Sequence, residues 1–152
     1  AGLAFDLVVR VDQLAAAARA AAAVPEVRFV LDHLGKPRIA AGADGLVEWR
    51  TAVAPLARCP NVTMKLSGMV TEADPARWTV DDLRPYVATA VDLFGPDRLM
   101  FGSDWPVCTT VADYGRVLGA LRAALPTLTD PERAALFGAT AVRTYQLEVR
   151  GS

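Results

Sequence analysis

Phe29-Val30-Leu31-Asp32-His33-Leu34-Gly35-Lys36-Pro37 is the stretch on which the fold turns. An apolar, β-rich run meets an Asp-His pair and is then broken by glycine and proline, as when a buried parallel strand runs out into a loop. The same pattern recurs along the chain. Gly2 to Val9, Val27 to His33, Asn61 to Gly68 and Arg98 to Asp104 read as strands, each followed by a turn-rich loop and then by apolar residues at helical spacing. The helices run from about Asp12 to Ala23, Gly45 to Arg58, Val80 to Phe94 and Val111 to Leu125. Strand, loop and helix in repetition predict an α/β fold with a parallel sheet.

Local signals set the boundaries. Thr79 with Asp82 three residues later forms an N-cap with a carboxylate in the first turn, and Gly95-Pro96 stops that helix. Thr129-Asp130-Pro131-Glu132 repeats the capping logic for a helix from about Asp130 to Phe137. Gly138 is expected to break or kink the chain before a last turn or two over Ala139 to Leu147.

The chain has 152 residues, 53% of them hydrophobic, and a formal net charge of −1, the makeup of a core-forming domain rather than a disordered segment. Its 16 basic residues are spread singly against 17 acidic ones, which disfavours nucleic acid as a partner. Leu14 to Val24, interrupted by Arg19, is too short for the roughly 20 apolar residues of a membrane span. Cys59 and Cys108 suggest neither a disulfide scaffold nor a zinc knuckle, so a cytoplasmic setting is expected. The chain opens Ala1-Gly2-Leu3-Ala4-Phe5-Asp6, with no initiator Met and no leader pattern, and reads as starting in mid-protein. A closed (β/α)8 barrel takes roughly 250 residues, so four βα units and a C-terminal helix read as the second half of one, with the N-terminal half absent.

Alternation along the strands assigns faces. On the third strand Val62, Met64 and Leu66 are expected to pack on helices, leaving Thr63, Lys65 and Ser67 toward the barrel axis. On the fourth, Met100, Gly102 and Asp104 share a face. If His33 points inward, so do Phe29 and Leu31, and Val30 and Asp32 face the helices. His33 and Asp104 then stand at strand C-terminal ends, where parallel α/β folds place their chemistry. The loops Leu34 to Asp44 and Met69 to Trp78 would rim the same mouth.

His33 is the sole histidine, so neither a Ser-His-Asp arrangement nor a multi-histidine metal site is expected from these residues alone. It is either a hydrogen-bonded structural residue or a group exposed at the mouth by the Gly-Lys-Pro loop. Asp104 is either a proton-shuttling carboxylate or a cap for the turn at Trp105-Pro106. Lys36 and Lys65 are the only lysines in an arginine-rich chain. Each is a candidate for holding a substrate anion, and for Lys65 a salt bridge to Asp6 or Asp104 is the alternative. Asp6 and Trp105 complete the substrate-contact candidates. Glu72, Asp74 and Trp78 fit a solvated loop, and Trp49 and Tyr145 fit packing positions.

The segments Phe29 to Pro37, Val62 to Gly68 (VTMKLSG) and Arg98 to Val107 (RLMFGSDWPV), with the closing Phe137-Gly138-Ala139-Thr140-Ala141 and Tyr145, together resemble the amidohydrolase-related proteins. That branch of the amidohydrolase superfamily includes 2-pyrone-4,6-dicarboxylate lactonase and sugar lactonases. The resemblance spans essentially the whole chain and implies a distorted (β/α)8 barrel enzyme that hydrolyses a lactone of a small carboxylated or sugar-derived substrate. It implies that His33 binds a divalent metal, zinc foremost, or polarises the substrate carbonyl. Asp104 would take the proton of the attacking water and pass it to the leaving group, and could be a second metal ligand. The His-x-His pair of the family's first strand has no counterpart here, and a metal-free hydrolase is the alternative. A decarboxylase with the same residues, or an inactive half-barrel that self-associates through its open sheet edges, are the other readings.

Overall fold

The computed structural model describes residues 2–148. Strands β1 (Ala4–Leu7), β2 (Arg28–Leu31), β3 (Val62–Leu66) and β4 (Leu99–Phe101) lie side by side in chain order in one parallel sheet. Helices α1 (Leu14–Ala23), α2 (Gly42–Ala57), α4 (Val80–Phe94) and α5 (Tyr114–Ala124) follow them in turn and pack neighbour on neighbour. A short α3 (Met69–Glu72) begins the third βα loop. The strands fall inside the expected runs but are shorter at both ends.

Helix α4 occupies the expected Val80 to Phe94. Thr79 and Asp82 cap it reciprocally, and Gly95 ends it at φ 72°. Helix α5 starts three residues later than expected, because Asp113 accepts a hydrogen bond from Arg116 N at 2.8 Å and so becomes the N-cap. Thr129 and Glu132 cap α6 (Asp130–Ala134) as expected. Gly138 does not break the chain. It lies in a π-helical segment, Ala135–Ala139, that carries α6 directly into α7 (Thr140–Tyr145).

On β3, Val62, Met64 and Leu66 are fully buried on the helix side, while Thr63 and Lys65 are half-buried opposite them. Burying each such apolar side chain is worth about 1.5–3 kcal/mol, which locks the register. The expected faces of β2 are reversed. Phe29 and Leu31 join the helix-side core, and Val30 and Asp32 lie on the inner face, level with Thr63 and Lys65. The strand ends at Leu31 and the chain turns at once, with His33 and Leu34 at φ 53° and 55°. Period-two counting back from His33 therefore starts from a residue outside the strand.

Two side chains tie the opposite end of the sheet. Asn61 Nδ2 reaches the carbonyls of Ala21, Val24 and Val27 at 3.0, 3.3 and 3.0 Å. Arg98 donates to the carbonyls of Ala57, Cys59, Val62 and Phe94. Both add side-chain hydrogen bonds to carbonyls where helices hand over to strands, on top of the backbone bonds that Val24 and Cys59 already accept there.

Candidate active site

The turn after β2 delivers His33. Lys36 N donates to His33 O at 2.7 Å to close it, and the fully buried Trp49 donates from Nε1 to Leu34 O at 2.6 Å, pinning it to α2. His33, Leu34 and Lys36 all have positive φ without being glycine, a costly backbone that concentrates at functional sites. The space the ring needs comes from Gly68. A Cβ there would sit 2.9 Å from both Cβ and Nδ1 of His33.

Asp104 arrives from the other side of β3, three residues beyond β4 and again at positive φ, 59°. His33 Nε2 and Asp104 Oδ1 are 3.7 Å apart, and the two side chains are 20% and 13% exposed. That separation is too long for a hydrogen bond, so each group is available to a third one, and both are reachable yet shielded. Asp104's carboxylate does not cap the following turn. Ser103 Oγ accepts from Trp105 N at 3.2 Å, and Asp104's backbone carbonyl accepts from Cys108 N at 2.8 Å.

Ser67 completes the pair, so a serine, a histidine and an aspartate do come together here, contrary to expectation, because one imidazole reaches both. Its buried hydroxyl is 2.8 Å from His33 Nδ1 and fixes the plane of the ring. The proton shared by that hydrogen bond decides what Nε2 offers. With the proton on Nδ1, Nε2 is a lone-pair donor to a metal or an acceptor of a proton; with Ser67 donating, Nε2–H is a hydrogen-bond donor.

Lys65 is not free for a substrate anion. Its Nζ is 2.5 Å from Asp32 and 3.5 Å from Asp6, and it lies 5.5 Å over the Tyr145 ring. Burial opposes its charge, but hydrogen bonding to Asp32 and Tyr145 outweighs burial and holds the ammonium above its ordinary pKa. The salt bridge to Asp6 was one of the two expected; Asp32, not Asp104, is the other partner. Asp6 also accepts a hydrogen bond from the Tyr145 hydroxyl. Burial, then that bond to Asp6, pushes the phenol up to about 12.

Lys36 pairs with Glu72 and so ties the second βα loop to the third, which places both loops on one rim as expected. It lines a charged cleft of about 240 Å3 with Arg10, Asp12, Arg38, Glu48 and Glu72. Trp105 follows Asp104 and is 68% exposed. Trp78 is no solvated loop residue. It is buried, with the Arg116 guanidinium 4.4 Å over its ring. Tyr145 exceeds a packing role by its contacts with Asp6 and Lys65. The alternation of β3 already placed Ser67 with Lys65, but its bond to His33 needed the turn geometry, and Asp32 was hidden by the reversed face of β2.

Among the described residues no group of three or more His, Cys, Asp or Glu side chains could hold a metal ion. His33 and Asp104 offer two donors, one short of the three protein ligands usual at a catalytic zinc, so these residues by themselves do not fit the expected metal. No helix of the described residues is long and apolar enough to cross a membrane.

The sequence profile of the family described as Amidohydrolase matches residues 1–147. An L-fucono-1,5-lactonase of Burkholderia multivorans is 48% identical over 127 residues, 78% of this chain and 43% of that protein. Another, of Burkholderia ambifaria, is 40% identical over 152 residues, 96% of this chain and 51% of that one. The crystal structure of an amidohydrolase from Burkholderia multivorans with bound Zn superposes with a TM-score of 0.90 at 42% identity, covering 95% of this chain and 53% of that one. The chain thus spans about half the length of the curated relatives it matches, and its four βα units are half of a (β/α)8 barrel.

Proposed function

Because this chain belongs to the amidohydrolase family, we propose that residues 1–152 form the half of a lactonase barrel that carries its acid–base pair. The reaction is hydrolysis of the ring C–O ester bond of a small sugar-derived lactone, the substrate type named for the two lactonase relatives. The observation that supports it most is the convergence of His33 Nε2 and Asp104 Oδ1 at 3.7 Å from two strand ends.

Water enters between Asp104 and the lactone carbonyl carbon. Asp104 takes a proton from the water as its oxygen bonds to that carbon, and His33 Nε2–H donates to the carbonyl oxygen as negative charge grows there. Ser67 serves this step by donating to Nδ1, the tautomer that leaves the proton on Nε2. The carbonyl re-forms, the ring C–O bond breaks, and Asp104 returns its proton to the leaving oxygen. The product is an open-chain hydroxy acid. Trp105, exposed beside Asp104, contacts the sugar hydroxyls at the rim, and Lys36, paired with Glu72, holds the two rim loops together. A zinc ion here would need at least one further protein ligand from outside these residues, and no step above depends on it. Free Cys59 and Cys108 suit a reducing, cytoplasmic setting. The edges of β1 and β4 are where the strands of the other half of the barrel would pair.

The test is hydrolysis of L-fucono-1,5-lactone by the protein expressed with its native flanking coding sequence, followed by acid release. Turnover that falls by roughly 10²–10⁴ in Asp104→Asn upholds the reading. Unchanged turnover in that variant, or acid production accompanied by CO2, overturns it.

A further inference from the structure

His33 sits between two held points. On one side Trp49 fixes the carbonyl of Leu34, and on the other Asp32, the residue before His33, is held by Lys65 at 2.5 Å. Two successive non-glycine residues at φ 53° and 55° persist only where their surroundings over-determine them. Lys65 is itself boxed in. A Cβ on Gly102 would fall 3.0 Å from its Cγ and 3.1 Å from its Cδ, Asp6 takes a second side of its ammonium, and Tyr145 secures Asp6. Lys65 and Ser67 occupy alternate positions of β3 and its end, so that one segment grips His33 twice, at the ring and at the backbone before it.

We propose that Lys65 is a positioning residue for His33: through Asp32 it holds the left-handed turn that aims Nε2 at Asp104. This replaces the substrate-anion role its residue type suggested, since both its near carboxylates belong to the protein. It rests on His33 and Asp104 being the reacting pair, and extends that reading to a residue that touches no substrate.

In the protein expressed with its native flanking coding sequence, the imidazole 15N–1H correlations that disappear in a His33→Asn variant are those of His33. Removing the cation alone strands the Asp32 charge, so the working probe is the double variant Lys65→Met with Asp32→Asn. Asp32→Asn alone, which keeps the pair of Lys65 with Asp6, is the second probe, and circular dichroism establishes that each is folded. At fixed pH the native protein should show one ordered tautomer, and the variants an imidazole shifted toward the tautomer average of a free ring. Turnover should drop at least about tenfold with KM changed less than about twofold, the split expected when only transition-state geometry is lost. Lys65→Arg, which keeps the cation, should restore the imidazole signals. A folded probe with native imidazole signals overturns the proposal whatever its activity. Shifted signals in a protein that hydrolyses no lactone uphold the positioning and overturn only the lactonase reading.

Discussion

Gly68 lies so close to His33 that a single added methyl would meet the ring, with 2.9 Å separating the built Cβ from Nδ1. Its own φ of 64° adds a backbone reason for glycine. Gly68→Ala should therefore cost more than about 1 kcal/mol in stability and displace the imidazole. Urea unfolding and lactone turnover measured together should both fall, because one contact serves both.

Asp104→Asn should separate the two quantities. The carboxylate bonds neither the turn that follows it nor a strand, so the melting temperature should stay near that of the native protein. Turnover should fall by roughly 10²–10⁴, the span typical of losing a general base.

Ser67→Ala leaves the half-buried Nδ1 without its partner. A net loss of about 1 kcal/mol is expected from the missing hydrogen bond. The ring becomes free to change tautomer, so turnover should decline further than stability does. Equal losses in kcal/mol from chemical denaturation and kinetics would count against a role for Ser67 in holding the proton.

Alkaline pH should unfold the protein through the inner-face cluster. The native state keeps the Lys65 and Tyr145 protons above their ordinary values of 10.5 and 10.0, where the unfolded chain gives them up. Their contribution is intact below about pH 10 and is lost as pH rises through the folded values. Tyr145→Phe should make the fall in stability between pH 10 and about 12 shallower. Urea midpoints taken across that range are the measurement.

Much of this was legible in the sequence because the signals were local. The four strands, the caps at Thr79 and Thr129 and the stop at Gly95 depend on residues a few positions apart, and each lies within its expected segment. His33 and Asp104 were visible as polar residues ending apolar runs. What alternation could not show was where the strand period stops. His33 lies beyond Leu31 in a left-handed turn, so the faces of Phe29 to Asp32 inverted, and with them the partnership of Lys65 and Asp32. Tyr145 meets Asp6 across 139 residues, a contact that no spacing rule reaches.

The ties made by Asn61 and Arg98 are set at the end of the sheet where helices hand over to strands, and His33 and Asp104 stand at the other. Mutational robustness and mutational novelty are thereby assigned to different residues. Exchanges in the rim loops around Lys36, Glu72 and Trp105 can retune which molecule is accepted while the polar staples at the far end go on specifying the architecture. Drift in substrate preference should be cheap for this chain, and drift at Asn61 or Arg98 should be purged.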